Sequence, residues 1–562
     1  MRKKKILFHS NSPLAFTGFG KNKKNILRHL FREDKYEIID ASNGASYDDA
    51  NLKKLPWKAV GTIPRDMLTN QYASSQDKIR QNAYGYFGID DLIKEFRPDI
   101  YVGIEDIWGL NLWDKKWWSI LNPMIWTTLD SLPILDTAYE GAKKTENFFV
   151  WASFAEKAMK EKGFNNVKTL HGSIDSKLFY KIPDNHRSIL RKRFGISEDD
   201  FIIGFVFRNQ LRKSVPNLLD GFNIFRKNNP KAKLLLHTHW GEGWDINKLL
   251  NEKGIPRELI LTTYYCSECS SYLVKPFTGE KQECPFCKSK NTLNTTNVRH
   301  GVSEQQLNEI YNLMDVYCHP FTSGGQEIPI QEAKLCELIT LVTNYSCGED
   351  HCTEESGGLA LEWSEYREPG TQFIKASTSP QSIAQRLSEV YNMSIDERTS
   401  IGQIARRFVL DNYSVESVCQ KLEAIFDSMP YVEDEKWQEF DTSNPLDVSR
   451  FVDDNGNKKL LIAVKDGWTD TILANSLISN LKKNYREYDI YFACNPKLFS
   501  VVDCHSDIYK VIPFNPAMEN IIAMEGNADN KKIFDIVYLP YLNVRKIPHY
   551  THNLEDKIAY NL

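Results

Sequence analysis

The sequence has no hydrophobic run long enough to cross a membrane. Its longest apolar stretches, such as Phe201 to Phe207, have the length of a buried strand, whereas a membrane helix needs about 20 apolar residues. The basic start MRKKK leads into a short apolar stretch, Ile6 to Phe8, which is too short for the core of a secretory signal. We therefore expect a cytoplasmic protein, in the host cytoplasm if the chain is viral, without membrane insertion.

An excess of charge of one sign is also missing. The formal net charge is −4 over 562 residues, so no overall attraction to nucleic acid or to anionic lipid is expected. Short repeats and low-complexity tracts are absent as well. What the chain does have is the balance of a globular protein, with 41% hydrophobic and 26% charged residues. Its length predicts about three or four domains.

Strand patterns alternate with amphipathic helix patterns along nearly the whole chain, which predicts parallel sheets covered by helices on both faces. We predict an α/β protein with two Rossmann-like domains and a third, smaller α/β domain. The predicted boundaries are 1–182 for the first domain, 183–430 for the second, 431–457 for a polar linker and 458–562 for the third.

Four of the eleven cysteines form two CxxC pairs, and these are Cys266, Cys269, Cys284 and Cys287. Two such pairs match tetrahedral zinc, and four thiolates leave no open position for water, so the predicted zinc is structural. We place this zinc ribbon at 264–296, as an insertion on a loop of the second domain. The alternatives are unrelated cysteines or a redox pair. A ribbon can bind nucleic acid, bind protein or only brace its loop.

Two cations follow a buried strand of the second domain. Arg208 and Lys213 come directly after the apolar strand that begins at Phe201, and doubly wound sheets bind ligands at the carboxyl ends of their strands. Such a pair can neutralise a diphosphate, since arginine offers a planar fork and lysine a point charge. The alternative is an ordinary solvated basic loop.

A glycine pair precedes a predicted helix further along the same domain. Gly324 and Gly325 let a backbone approach a ligand closely, and the positive N-terminus of the following helix suits a phosphate. Glu332 lies within that helix, where its carboxylate can accept both hydroxyls of a ribose. The alternative for Glu332 is a surface glutamate.

These segments resemble the retaining GT-B glycosyltransferases, family four in the usual classification of glycosyltransferases. The family pattern has a glutamate, Gly-Phe-Gly-Leu-Pro, two variable residues, a second glutamate and an alanine, and GGQEIPIQEA matches it at Pro329, Glu332 and Ala333. The first glutamate of the pattern falls on Gly324. We predict that Glu327 replaces it in part.

The resemblance implies a role for each matched residue. Glu332 would hold the ribose, and Arg208 and Lys213 would grip the diphosphate. In the first domain, Gly18 and Gly20 resemble the loop that faces the donor phosphates, although they are also compatible with a simple tight turn. The predicted donor-binding set is Gly18, Gly20, Arg208, Lys213, Gly324, Gly325, Glu327 and Glu332.

The acceptor side is predicted from acids in the first domain. Asp130 falls where the family often has a histidine–aspartate pair, with Leu129 in place of the histidine. Glu105 and Asp106 end a predicted strand; they either orient an acceptor hydroxyl or only cap the strand. The predicted catalytic set is Arg208, Lys213, Glu332 and Asp130.

The resemblance implies transfer of a sugar from a nucleoside-diphosphate sugar, of UDP or GDP type, to an acceptor hydroxyl, with retention and without a catalytic metal. The acceptor would be a glycan, a protein or a modified DNA base. Two alternatives stay open, namely a transferase for a modified nucleic-acid base and a degenerate, non-catalytic GT-B scaffold. The third segment faintly resembles the acceptor half of heptosyltransferases, which suggests a docking or assembly domain. Sugar and oligomeric state stay open.

Overall fold

The computed structural model describes residues 2–63, 76–297, 300–433, 436–437, 448–465, 467–526 and 532–540. The chain forms two compact units, Met1–Glu433 and Asp434–Leu562. The first unit contains two large sheets and the second a smaller one. Within the described ranges, no helix combines the length and the hydrophobicity that a membrane crossing requires.

The first sheet begins the first unit. Its strands are β1 (Lys5–Asn11), β2 (Glu37–Ser46), β3 (Lys58–Ile63), β4 (Ile100–Asp106), β5 (Asn122–Thr128), β6 (Asn147–Val150) and β7 (Val167–Thr169). Its helices are α1 (Gly18–Glu33), α2 (Gln76–Ala83), α3 (Ile89–Phe96), α4 (Asp136–Lys144) and α5 (Ser153–Glu161). All seven strands are parallel, in the order β3-β2-β1-β4-β5-β6-β7. The order reverses between β1 and β4, and ligands of doubly wound sheets bind at such a switch point.

The second sheet follows along the chain. Its strands are β8 (Phe201–Val206), β9 (Ala232–His237), β10 (Ile260–Cys266), β11 (Tyr272–Pro276), β12 (Leu293–Thr295), β13 (Val316–His319), β14 (Thr340–Thr343) and β15 (Gly358–Leu361). Its helices are α6 (Asp184–Arg193), α7 (Val215–Arg226), α8 (Ile246–Glu252), α9 (Glu304–Asn312) and α10 (Ile328–Leu335). The main path runs β11-β10-β9-β8-β13-β14-β15. The switch point therefore lies between β8 and β13, as in the first sheet.

Three helices complete the first unit after a short hairpin. The hairpin is β16 (Trp363–Arg367) with β17 (Ile374–Thr378), and the helices are α11 (Pro380–Asn392), α12 (Ile395–Tyr413) and α13 (Val415–Ser428). The last of them packs into the core of the first sheet, where Phe426 lies 6.0 Å from the ring of Phe8 and 5.7 Å from that of Tyr36. The chain thus returns to the first Rossmann-like domain before the unit ends.

The second unit has a four-stranded parallel sheet. Its strands are β18 (Lys458–Ala463), β19 (Tyr488–Cys494), β20 (Lys510–Pro513) and β21 (Ile536–Tyr538), in the order β20-β19-β18-β21. Its helices span Trp468–Ser476, Ile478–Asn484, Phe499–Val502 and Ile521–Glu525. This confirms the third, smaller α/β domain. Part of the predicted linker lies outside the described residues, but Val448 packs into the core of this unit beside Leu461 and Tyr491.

Candidate functional site

The two switch points of the first unit lie close to each other across a cleft. A Cβ added to Gly18, at the start of α1, would lie 3.6 Å from Cδ1 of Ile328, at the start of α10. A Cβ added to Gly325 would lie 2.3 Å from Cβ of Thr128 and 2.5 Å from Oδ1 of Asp130. Residue 325 therefore has to be glycine, because the second domain's loop touches the end of β5 in the first domain at this point.

Gly20 is also required by its surroundings. The loop after β1 folds over it, so that an added Cβ would lie 2.7 Å from the carbonyl oxygens of both Ser12 and Ala15. Thr17 caps α1 by accepting a hydrogen bond of 3.1 Å from the backbone nitrogen of Gly20. The predicted glycine turn thus exists, and it brings the N-terminus of α1 to the cleft.

Lys213, Arg212 and Glu327 form the central ion cluster of the second domain. The short turn Leu211–Lys213 directs both cations toward Glu327, which accepts from Arg212 Nη1 and from Lys213 Nζ. Nε2 of His319, at the end of β13, lies 3.0 Å from Oε2 of the same carboxylate. The side chains of Lys213 and Glu327 are 4% and 3% exposed, whereas that of Arg212 is 43% exposed.

Burial and charge set the protonation of this cluster. Burial lowers the pKa of Lys213 to about 8, against the opposing effect of Glu327. Burial also works against ionisation of Glu327, but the charges of Arg212 and Lys213 hold the pKa of its carboxyl well below the usual range. The three residues are therefore all charged at neutral pH.

Arg208 lies outside this cluster. Its Nε is 3.4 Å from Oε2 of Glu242, and both side chains are exposed to solvent. The second cation beside Lys213 is instead Arg212, which the sequence interpretation missed. Its position directly before Lys213 was the available signal, but only the turn shows that both side chains point the same way.

Gly324 leaves space for the Glu327 carboxylate. A Cβ added to residue 324 would lie 2.6 Å from Oε1 of Glu327 and 3.4 Å from Nη1 of Arg212. A contact as short as the first requires an atom to move, so a side chain at 324 would have to shift this carboxylate from its present position. The carboxylate of Glu327 thus lies where a side chain on residue 324 would begin.

Glu332 faces the cleft from α10. It is 6% exposed, and its Oε2 accepts a hydrogen bond of 2.7 Å from the hydroxyl of Tyr311. Burial raises the pKa of Glu332, and Lys21 of α1 acts in the opposite direction. The carboxylate is therefore held by one domain and within the field of a cation from the other.

Three acids line the opposite wall. Glu105 and Asp106 end β4, and Asp130 lies on the loop after β5. Glu105 accepts from the backbone nitrogen of Asn11 at 3.1 Å. Burial, reinforced by the charge of Asp106, raises the pKa of Glu105 to about 7. Asp130 is exposed, but the surrounding protein removes much of the hydration of its carboxylate, and with the charge of Asp106 this raises its pKa to about 6.

The loop that carries Glu327 is tied to the connection between the two Rossmann-like domains. Oε1 of Gln326 accepts from the backbone nitrogen of Gly172 at 2.8 Å, and its Nε2 donates to the carbonyl of Gly172 at 2.9 Å. Gly172 lies between β7 and α6. The second-domain side of the cleft therefore contacts this connection directly, through two hydrogen bonds.

The four predicted zinc ligands come together. The sulfurs of Cys266, Cys269, Cys284 and Cys287 all lie within 4.8 Å of one another. Two pairs are 3.7 Å apart, and zinc–sulfur bonds of about 2.3 Å in a tetrahedron give edges of about 3.8 Å. The donor set thus fits one zinc ion held by thiolates alone.

The ribbon lies between strand β10 and α9, the place where the sequence interpretation put an insertion on a loop. Strand β10 of the sheet runs directly into Cys266 and pairs antiparallel with β11 and β12. The ribbon also rests on α9, where Nε2 of Gln306 donates to the carbonyl of Ser270 at 2.9 Å. The first strand of the ribbon is therefore also a strand of the second domain's sheet, where it pairs with β9.

The ribbon reaches the ion cluster through one loop, residues 239–245. The ring of Trp240 stacks on that of Phe277 in the ribbon, with centroids 4.2 Å apart. At the other end of the loop, Nε1 of Trp244 donates to the carbonyl of Leu211 at 3.1 Å. Leu211 belongs to the turn that carries Arg212 and Lys213. Contacts therefore run from Phe277, which packs against the buried cluster that contains Cys266, to these two cations.

The two facing sheets define the fold of the first unit as that of the GT-B glycosyltransferases. Solved structures similar to this chain include HepE of Anabaena in complex with UDP, a glycosyltransferase of Rickettsia africae and the sucrose-phosphate synthase of Thermosynechococcus elongatus, with TM-scores of 0.52, 0.53 and 0.51. Each of the three is 13% identical to this chain, and each alignment covers 76% of this chain. The alignments cover 100%, 99% and 98%, respectively, of the three solved chains.

At this identity the likeness establishes the fold and no more. No protein family matches the sequence, and no curated protein matches it.

Proposed function

We propose that the first unit is a glycosyltransferase that moves a sugar from a nucleoside-diphosphate sugar to an acceptor hydroxyl. The observation that carries this proposal is the cluster of Arg212, Lys213 and Glu327 at the switch point of a GT-B fold, directly before the N-terminus of α10. Fixed cations and a helix N-terminus are what a diphosphate needs. HepE, a structural neighbour, has been solved with UDP and with UDP-glucose, which supports a UDP-type donor; a GDP-type donor is the second choice.

On this proposal the second domain binds the donor. Arg212 and Lys213 neutralise the diphosphate, with Arg208 at the rim, and Gly324 and Gly325 allow close approach of the backbone. Glu332 accepts the ribose hydroxyls, which a buried carboxylate held by Tyr311 can do without rearrangement. Gly18 and Gly20 bring α1 against the phosphates from the other side.

The chemistry follows from this arrangement. Charge that develops on the leaving diphosphate would be stabilised by groups already in place, which is electrostatic preorganisation, so no catalytic metal is required. Retention is implied by the family resemblance, and the leaving phosphate itself would take the acceptor proton. Asp130, with Glu105 and Asp106 nearby, would orient the acceptor hydroxyl, whether of a glycan, a protein or a modified DNA base.

The cysteine cluster would hold one structural zinc ion. All four ligands are thiolates of the protein, so the ion has no open position for chemistry. Its role would be to order the ribbon.

The donor assignment is tested by replacing one residue for each part of the donor. We expect Lys213→Ala and Glu332→Ala to weaken binding of the preferred UDP- or GDP-sugar about ten- to hundredfold, since a hydrogen bond to a charged group contributes about 1.5–3 kcal/mol. Isothermal titration calorimetry on the full chain measures this, after a thermal-shift screen of nucleotide sugars.

Matched controls are Lys168→Ala and Glu161→Ala, exposed residues of β7 and α5, which should bind as the wild type does. If Lys213→Ala and Glu332→Ala both kept wild-type donor affinity and turnover, the site assignment would be wrong.

A further inference from the structure

The cations of the donor site already have an anionic partner within the protein. Arg212 donates to Oε1 of Glu327 and Lys213 to Oε2. Lys213 and Glu327 are both almost fully buried, so the lysine ammonium faces the carboxylate and not the open cleft. A diphosphate that is to be bound by Lys213 has to take over a donor that Glu327 now uses.

The neighbouring backbone is built around this carboxylate. Gly324 has no side chain, and an added Cβ would lie 2.6 Å from Oε1 of Glu327. His319, at the end of β13, contacts the same carboxylate, with its Nε2 3.0 Å from Oε2 of Glu327. Glu327 therefore occupies a defined position on the two cations.

The charge of the cluster determines which ligands can displace the Glu327 carboxylate from the two cations. The cluster of Arg212, Lys213 and Glu327 carries two positive charges and one negative charge. Arg212 is partly exposed, but leaving the buried Lys213 ammonium without an anion would be costly. A diphosphate has more negative charge and more acceptor oxygens than one carboxylate, so it can replace Glu327 on both cations. When a nucleoside diphosphate leaves, the carboxylate can pair with them again.

We propose that Glu327 is a resident counter-ion of the donor site, which the donor's diphosphate displaces and which returns as the nucleoside diphosphate product leaves. This rests on the proposed function, because it assigns the ligand of Arg212 and Lys213 as a diphosphate. Glu327 thereby weakens the binding of the product and speeds its release, a step that limits the turnover of many enzymes.

The test is the affinity of the full chain for inorganic diphosphate, measured by isothermal titration calorimetry at pH 6.5. Glu327→Gln keeps the size and an acceptor oxygen but removes the charge. We expect it to bind inorganic diphosphate at least tenfold more tightly than the wild type, and product inhibition by the nucleoside diphosphate to become stronger in parallel. Equal or weaker binding by Glu327→Gln would overturn the counter-ion role.

A second variant covers the case in which Glu327→Gln does not fold. Glu327→Asp keeps the charge but draws it back by one methylene, and we expect a smaller gain in diphosphate affinity; no gain would overturn the role. Glu156→Gln is the matched control, because it removes a carboxylate from Lys160 within α5, and it should bind as the wild type does.

The two proposals fail in different ways. If the wild type transfers sugar but Glu327→Gln gains no affinity, only the counter-ion role is lost. If neither protein binds inorganic diphosphate, a UDP-sugar or a GDP-sugar, the proposed function and the counter-ion role are both lost.

Discussion

The two sheets of the first unit present opposite chemistry at the same topological position. At the switch point of the first sheet, Glu105 and Asp106 are like charges held together, and their pKa values are raised by burial. At the switch point of the second sheet, Arg212 and Lys213 are paired with Glu327. On the first wall Glu105 can exchange a proton near pH 7, whereas on the second wall Arg212 and Glu327 keep their charges. The difference lies entirely in loop and strand-end residues on one shared fold.

The largest expected effect comes from removing the proposed zinc ion, which we expect to brace the second wall alone. Removing zinc with a chelator, or Cys266→Ser, should cost the ribbon an ordering free energy on the order of 10 kcal/mol. Through Trp240 and Trp244 the loss should reach the turn of Arg212 and Lys213 and lower donor affinity. Hydrogen exchange should rise in β8 and β10 and stay unchanged in β1 and β4.

Cys504→Ser, an exposed cysteine of the second unit, is the control and should retain both metal and exchange rates. Equal exchange in both sheets, or a protein that contains no zinc by mass spectrometry, would contradict the bracing role.

The next effect concerns the acidic wall and pH. A pKa of about 7 for Glu105, against an ordinary 4.5, means that the folded protein binds more protons than the unfolded chain between these values. Stability must then fall as pH rises from 4.5 through 7, by on the order of 3 kcal/mol at this residue. Glu105→Gln should remove this contribution to the decrease of the unfolding free energy with rising pH.

Urea denaturation at pH 5, 6, 7 and 8 measures the difference in unfolding free energy between wild type and variant. In this difference the contributions of titratable groups common to both proteins cancel. A variant whose stability follows the wild type in parallel over this range would show that Glu105 is ionised throughout. Glu161→Gln, at an exposed position of α5, should show that parallel behaviour.

The smallest expected effect separates the two walls functionally. Asp130→Asn should leave donor affinity within about twofold of the wild type but lower transfer about tenfold, which is about 1.4 kcal/mol of transition-state stabilisation. Because the pKa of Asp130 is about 6, wild-type transfer should rise with pH through 6, and the variant should lose this rise.

The measurement is the pH profile of kcat/KM beside calorimetric donor affinity. Asp136→Asn, exposed at the start of α4, serves as the control. A large loss of donor affinity in Asp130→Asn would assign Asp130 to the donor wall instead.

Much of this architecture could be predicted from local patterns. Buried strands followed by helices predicted the two Rossmann-like sheets, and the positions of Lys213 after β8 and of Glu332 within α10 followed from that order. The alternating pattern after the linker also predicted the third α/β domain. These features depend on periodicity and on chain order, which the sequence carries directly.

What could not be predicted depends on contacts between distant residues. The pairing of Arg212 with Glu327 requires a single turn to orient two neighbouring cations, and no periodicity encodes it. The space beside Gly324 is visible only once Glu327 is in place. The contact of Trp244 with the carbonyl of Leu211 likewise joins residues that are far apart in the sequence.

The two hydrogen bonds between Gln326 and Gly172 have a mechanical consequence. Residues 326 and 327 are adjacent, so the backbone cannot carry the Glu327 side chain outward by more than a hydrogen-bond length unless those bonds break or Gly172 follows. Gly172 lies on the segment that connects the two Rossmann-like domains. A backbone shift at Glu327 that keeps these two bonds therefore also moves Gly172. We expect such a shift to change the angle between the two Rossmann-like domains.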